Sequence, residues 1–419
     1  MKQKEALQKE ICRLKSSQKE KTPFYVFDTD ALCEHVRNVK CRLLENMTLC
    51  YAIKANPFLI EPMDAYLEKY EVCSSGELAI CLRAGINTEK IVFSGVNKQK
   101  EDIYRAVEAG VGVITLESVR QFELVRECAE ERKEVLKVLP RLSNGAQFGI
   151  DSIQLQKIIA ERESYPYLQI VGVQYFTGTQ KKLKKTLEEL EFILEYVKML
   201  ETKYGFLVQT IEYGPGLKVP YFVGEDFDAP YGELEMLVSF LKERGDKYHF
   251  VFELGRYLAS GCGHYAASIV DIKENEGRGF ALIDGGINHV NYYGQNMAMR
   301  LPMLTHYHKK EDFCEEVKKP ADADNMPQEE ADAYRDWCIC GSLCTFADVL
   351  IRKAGLHNLE LDDILIFHNI GAYSITEGIY LFLSRRMPEV YFYQEKTGLS
   401  LVRHSIETSS FNFTEEILQ

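Results

Sequence analysis

The chain lacks three things whose absence narrows its function: an excess of positive charge, a dense set of cysteines, and a long apolar run. Its 50 Lys+Arg face 63 Asp+Glu, for a formal charge of -13 over 419 residues. Nonspecific binding to nucleic acid needs a large positive field, so no nucleic-acid partner is expected. Twelve cysteines are too few for a disulfide scaffold, and most stand singly in apolar stretches, as Cys50, Cys73 and Cys81 do. They read as reduced core thiols. Only Cys338, Cys340 and Cys344 cluster, in CICGSLC, without the C-x2-C spacing or the fourth ligand of a zinc site. No metal is expected. The N-terminal stretch has no apolar signal centre, and no run approaches the roughly 20 residues that span a bilayer. The cytoplasm, with no membrane partner, is the expected location.

What is present is a folded enzyme's composition, 46% hydrophobic and 27% charged, which excludes disorder along most of the length. Residues 1–21 place Leu7, Ile11 and Leu14 at helical spacing and predict a short amphipathic lead helix. From Thr22 onward short β-branched or aromatic runs alternate with helical patterns. Eight such runs are readable, at 48–56, 70–75, 91–95, 111–118, 137–142, 168–176, 210–216 and 249–255. Alternation of this kind forces parallel strands with crossover helices, and eight units predict a closed (β/α)8 barrel over 22–256, with an open doubly wound sheet as the alternative. The first strand, about 22–30, could join the domain that follows. Over 257–419 strands succeed one another without helices, which predicts a mainly-β second domain, interrupted by a charged excursion at 309–336.

Chemistry in such a barrel sits at the C-terminal strand ends. The seventh run ends in Gly214-Pro215-Gly216, where missing side chains let backbone N–H groups approach a phosphate, and the eighth ends in Glu253-Leu254-Gly255-Arg256, adding a carboxylate and a guanidinium. The first ends at Lys54 in YAIKAN. A lysine with apolar neighbours at a barrel mouth can form a Schiff base with a carbonyl cofactor. Lysine, anion cradle and buried carboxylate together are what pyridoxal 5'-phosphate requires.

On these residues the sequence resembles the fold-type III pyridoxal-phosphate decarboxylases, the diaminopimelate and ornithine decarboxylase family with an alanine-racemase-like barrel. The matching stretches are YAIKANP, CSSGEL, IVFSGVNK, QFGID, GTQ, YGPG, ELGR, DGG, GSLCT and GAY, in order over 22 to about 400. The resemblance implies that Lys54 carries the cofactor, that Glu253 pairs with the pyridine nitrogen, and that Thr179, Gly214, Gly216, Gly255, Arg256 and Tyr373 hold the phosphate. Phe176 stands where many relatives stack a histidine on the ring. Pro215 replaces a glycine and removes one N–H donor. Cys344 matches the cysteine that reaches the neighbouring subunit's site and protonates Cα, which implies a homodimer with shared active sites.

Diaminopimelate and ornithine enzymes of the family carry an acid after this cysteine, whereas here it is Thr345. The detailed pattern is closer to the branch that decarboxylates a glutamyl group on an acyl carrier protein in aminoglycoside biosynthesis. A derivatised or carrier-tethered glutamyl-type amino acid is therefore the expected substrate, with KKLKK at 181–185 as a basic patch for an acidic acyl carrier protein. Arg300 is a candidate for the substrate carboxylate. His289, His306 and His308 read as surface or core residues. The alternatives are a diaminopimelate decarboxylase forming lysine, an amino-acid racemase, and a noncatalytic pyridoxal-phosphate carrier.

Overall fold

The computed structural model describes residues 2–16, 22–317 and 334–414, which divide into two compact units. One comprises 33–219 and 228–258, the other 1–32, 220–227 and 259–419. After β1 (Phe24–Asp28), the first unit supplies β2 (Met47–Ala52), β3 (Lys69–Val72), β4 (Ile91–Phe93), β5 (Val113–Leu116), β6 (Leu136–Pro140), β7 (Leu168–Ile170), β8 (Gly172–Phe176), β9 (Thr210–Gly214) and β10 (His249–Leu254). All pair in parallel, in the order β7-β6-β5-β4-β3-β2-β10-β9-β8. Arg141, just past β6, bridges Gln174 of β8, so the sheet closes into a barrel. The open-sheet alternative is thereby excluded.

The run at 168–176 is not one strand. It breaks at Val171, so that β7 pairs with β6 while β8 pairs with β9. A Cβ on Gly172 would lie 1.8 Å from the Thr210 carbonyl oxygen, and only glycine permits that approach. Helices cover the outside and bury their apolar stripes. In Leu183–Tyr204, for example, Leu190, Ile193, Val197 and Leu200 face inward. Because the strands are covered on both faces, they are apolar almost throughout.

The second unit is mainly β. It holds β1 together with β11 (Gly263–Asn275), β12 (Arg278–Ile283), β13 (Leu304–His308), β14 (Phe313–Glu316), β15 (Tyr334–Cys340), β16 (Val349–His357), β17 (Ile364–His368), β18 (Glu389–Gln394) and β19 (Gly398–Arg403). β1 pairs antiparallel with β11 and parallel with β18. The lead helix Lys2–Ser16 buries Leu7, Ile11 and Cys12 against Phe24, Val26, Ile364 and Tyr391; Leu14 has its side chain outside the described residues. The excursion read at 309–336 contains β14 and the start of β15, and its residues 318–333 lie outside the described residues. Its charges concealed strands because these two have solvent-facing positions.

Candidate active site

Parallel strands bring their C-terminal ends to one mouth of the barrel. Lys54 stands there in a 3-10 turn, Ile53–Ala55, that follows β2 directly, with Ile53 and Ala55 buried on either side. Its Nζ lies 2.7 Å from Glu71 Oε2, 3.5 Å from Glu253 Oε1 and 3.5 Å from Cys73 Sγ. Glu253 also accepts from Gln174 Nε2 at 3.2 Å, and the same amide donates to Glu212 at 2.8 Å. Lys54 and Glu253 were legible in the sequence. Glu71, Glu212 and Gln174 were missed, although an acid inside an otherwise apolar strand, as in KYEV and TIEYG, is itself a signal for an inward-facing polar group.

Two buried carboxylates, Glu71 and Glu253, therefore share one ammonium, and a third, Glu212, is tied to Glu253 through Gln174. Burial, then the Glu71 and Glu212 charges, push Glu253 well above the carboxylate range despite Lys54. Glu212 is pushed up to about 7 by burial and by Glu71. Burial opposes ionisation of Glu71 too, but the Lys54 charge and hydrogen bonds from its neighbours hold it below the usual range. The centre has acid to spare, and a cationic ring nitrogen would meet it at Glu253. Ser94 Oγ and Gln174 Oε1 are buried there without a hydrogen-bond partner.

The loops after β8 and β9 form the second part of the mouth. Gly216 adopts φ +61°, and a Cβ on it would lie 2.3 Å from the Gly178 carbonyl oxygen; one on Gly214 would lie 2.1 Å from the Phe176 ring. The loops are zipped by Lys181 N donating to Gly216 O at 2.9 Å, and by the Lys181 ammonium donating to Gly214 O at 3.2 Å and Thr177 Oγ1 at 3.0 Å while pairing with Glu189. Thr179 lies within the first loop. Lys181 is therefore buried, which corrects its reading as part of a basic surface patch; Lys182, Lys184 and Lys185 are exposed. Gly255 packs against Ala52 and Ala55, and Arg256 is buried at the start of a short helix. Phe176 ends β8, with the Arg141 guanidinium 5.7 Å from its ring and held by Glu117 at 2.7 Å.

In the mainly-β unit, Tyr373 has φ +69°, a costly conformation for a non-glycine residue. Cys344 and Thr345 are exposed on a loop anchored by buried Asp348, which accepts from Leu343 N and Ile287 N. Phe346 beside them is fully exposed. Arg300 lies over the Phe222 ring at 3.8 Å and is paired with Glu225, so the guanidinium read as a substrate-carboxylate receptor already has a carboxylate. His289 is a core residue, bonded to Tyr265 and Asn288 and pushed down to about 3 by burial.

Barrel, lysine, surplus acid and glycine cradle define a pyridoxal-phosphate enzyme. The pattern of the family described as pyridoxal-dependent decarboxylase, pyridoxal binding domain, matches residues 29–260, and the chain belongs to that family. It uses pyridoxal 5'-phosphate and is a carboxy-lyase. The L-glutamyl-[BtrI acyl-carrier protein] decarboxylase of Niallia circulans is 27% identical over 392 residues, covering 88% of this chain and 87% of that protein. A diaminopimelate decarboxylase of Zymomonas mobilis is 28% identical, covering 92% and 91%. Diaminopimelate decarboxylase from Helicobacter pylori, solved with L-lysine, shares the fold with TM-score 0.79 at 20% identity, covering 95% and 98%. Among the described residues no helix is long and apolar enough to cross a membrane.

Proposed function

We propose that the enzyme removes the α-carboxylate of a derivatised or carrier-tethered amino acid of glutamyl type, working as a homodimer in the cytoplasm. The observation that carries the chemistry is Glu253, a buried acid 3.5 Å from the Lys54 ammonium. Pyridoxal phosphate, when bound, supplies the electron sink for the pair freed as CO2 leaves. Lys54 would hold the cofactor and Glu253 would keep a proton on its ring nitrogen. Glu71 holds the Lys54 amine in place and Gln174 orients Glu253. Gly214, Gly216, Thr179, Gly255 and Arg256 would take the phosphate. Phe176 would stand by the ring without offering it a proton.

Cys344 holds the proton for Cα, and exposed Phe346 beside it is the kind of surface a second subunit covers. The reading of the substrate is supported by Thr345, which offers no counter-charge to a distal ammonium, and by the similarity to the Niallia circulans enzyme. Exposed Lys182, Lys184 and Lys185 suit an acidic carrier protein. The test is CO2 release from glutamyl-carrier thioester, free glutamate and meso-diaminopimelate side by side. Turnover of the thioester above the free acids is the expected result. Preference for diaminopimelate, or Cα-proton exchange without CO2, would replace this reading with lysine formation or racemisation.

A further inference from the structure

The glycine loop after β9 is held from behind by side chains that take no part in the chemistry proposed above. Each carbonyl of Gly214-Pro215-Gly216 is bound: Gly214 O accepts from the Lys181 ammonium at 3.2 Å, Pro215 O from Thr186 Oγ1 at 3.2 Å, and Gly216 O from the Lys181 backbone N–H at 2.9 Å. Lys181 thus supplies the donors at both ends of the loop. Beside it, the Gln180 amide closes on Val219 in both senses, donating to the carbonyl oxygen at 2.9 Å and accepting from the N–H at 2.6 Å. Gln180 has φ +55°, a conformation that persists only where the surrounding bonds enforce it.

The ammonium is fixed in its turn. Lys181 is buried and pairs with buried Glu189 of the helix Leu183–Tyr204. Glu189 also accepts from Thr177 Oγ1 at 2.6 Å and from Tyr213 OH at 3.1 Å, so the carboxylate is tied on every side. Burial pushes the lysine below its ordinary range despite the Glu189 charge. A buried ion pair often adds nothing to stability over well-packed apolar side chains of the same volume. Packing alone therefore does not account for this one.

What the lysine fixes follows from peptide geometry. The peptide bonds of this loop are trans, so each N–H points opposite to the carbonyl that precedes it. With the Pro215 and Gly216 carbonyls drawn toward Thr186 and Lys181, the N–H groups of Gly216 and Leu217 are turned the other way. Neither donates a hydrogen bond among the described residues. Pro215 has no N–H to offer, which leaves the loop dependent on these two donors.

Given the pyridoxal-phosphate reading of the barrel, on which this rests, we infer that Lys181, assisted by Thr186, is a positioning residue of the phosphate site: it holds the loop's carbonyls back and so presents the Gly216 and Leu217 N–H groups to the anion. In this role Lys181 acts through the loop and not on the ring or the substrate.

The test compares pyridoxal phosphate with pyridoxal, its phosphate-free counterpart, by equilibrium dialysis against wild type and variants. Lys181→Met/Glu189→Gln removes the pair together and leaves no uncompensated buried charge. It should weaken pyridoxal phosphate about 10- to 100-fold, as for a lost hydrogen bond to a charged group, and leave pyridoxal unchanged. Thr186→Val, which frees only the Pro215 carbonyl, should show the same selectivity on a smaller scale, and it decides the matter if the double variant does not fold. In both variants the 31P resonance of the bound cofactor should move toward its position in free solution. Equal losses for the two ligands, or no loss, reduce Lys181 to packing and overturn its role. Wild type that binds neither ligand would overturn the pyridoxal-phosphate reading and this role with it. Variants that fail to discriminate while wild type binds leave that reading standing and remove the role of Lys181 alone.

Discussion

Lys54 Nζ lies closer to Glu71 than to Glu253, 2.7 Å against 3.5 Å. The two acids thus differ: Glu71 pairs with the amine, and Glu253 is kept high by burial, which on the proposed reading leaves it for the ring nitrogen. Glu253→Gln should retain cofactor but lower kcat by about 10²- to 10³-fold, the usual loss on removing one electrostatic partner of the transition state. Glu71→Gln should lower the pKa of Glu253 and favour its ionisation, because the Glu71 charge raises that pKa. Equal kcat for wild type and Glu253→Gln would remove Glu253 from the mechanism.

Lys54→Ala should bind pyridoxal phosphate without the visible absorbance of an imine and show only background CO2 release. Borohydride reduction followed by peptide mapping reads the same prediction covalently. A label on buried Lys181 would transfer the role to another lysine.

Glu212 predicts a pH dependence of the cofactor-free protein. Its folded pKa of about 7 exceeds the model-peptide value near 4.5, so the folded state retains a proton that the unfolded chain has lost. Its contribution is most favourable below about pH 4.5, falls as pH rises toward 7, and is flat above, a cost of about 3 kcal/mol at 1.36 kcal/mol per unit. Glu212→Gln should therefore raise stability at pH 8 and flatten the slope between pH 5 and 7 in urea denaturation. An unchanged slope would show that Glu212 is not the proton holder.

Gly216→Ala meets both a positive φ and the Gly178 carbonyl oxygen at 2.3 Å. Strain of about 1–3 kcal/mol corresponds to roughly 10-fold or greater weakening of pyridoxal phosphate binding. Equilibrium dialysis checks this, with pyridoxal lacking the phosphate as the control whose affinity should change least.

Shared sites have a combinatorial signature. Lys54→Ala and Cys344→Ala should each be nearly inactive, the second by about 10²- to 10⁴-fold as for a lost proton donor. Mixed and refolded together, they should recover about a quarter of wild-type activity, since half the dimers are mixed and each has one intact site in a two-fold assembly. No recovery would place both residues of a site on one chain.

The barrel and its lysine were legible because local signals carry them: strand and helix periods, a glycine loop at one strand end, an acid at the next. Whether 168–176 was one strand or two was not legible, since the break at Val171 depends on how closely Thr210 approaches Gly172. Lys181 read as surface among KKLKK because its neighbours are solvated; its burial follows from Glu189, eight residues on. Arg300 read as a receptor because nothing local shows Glu225 beneath it.

Sequence alone determined which elements form and which residue types could bear the chemistry, because periodicity, turn residues and motif order act over a few residues. Tertiary structure decided the pairings: Lys54 with Glu71, Gln174 with two acids, and His306 with Asp363. Such contacts depend on barrel closure and sheet register, which bring together residues far apart in the chain, as Lys54 and Glu253 are (|i−j| = 199).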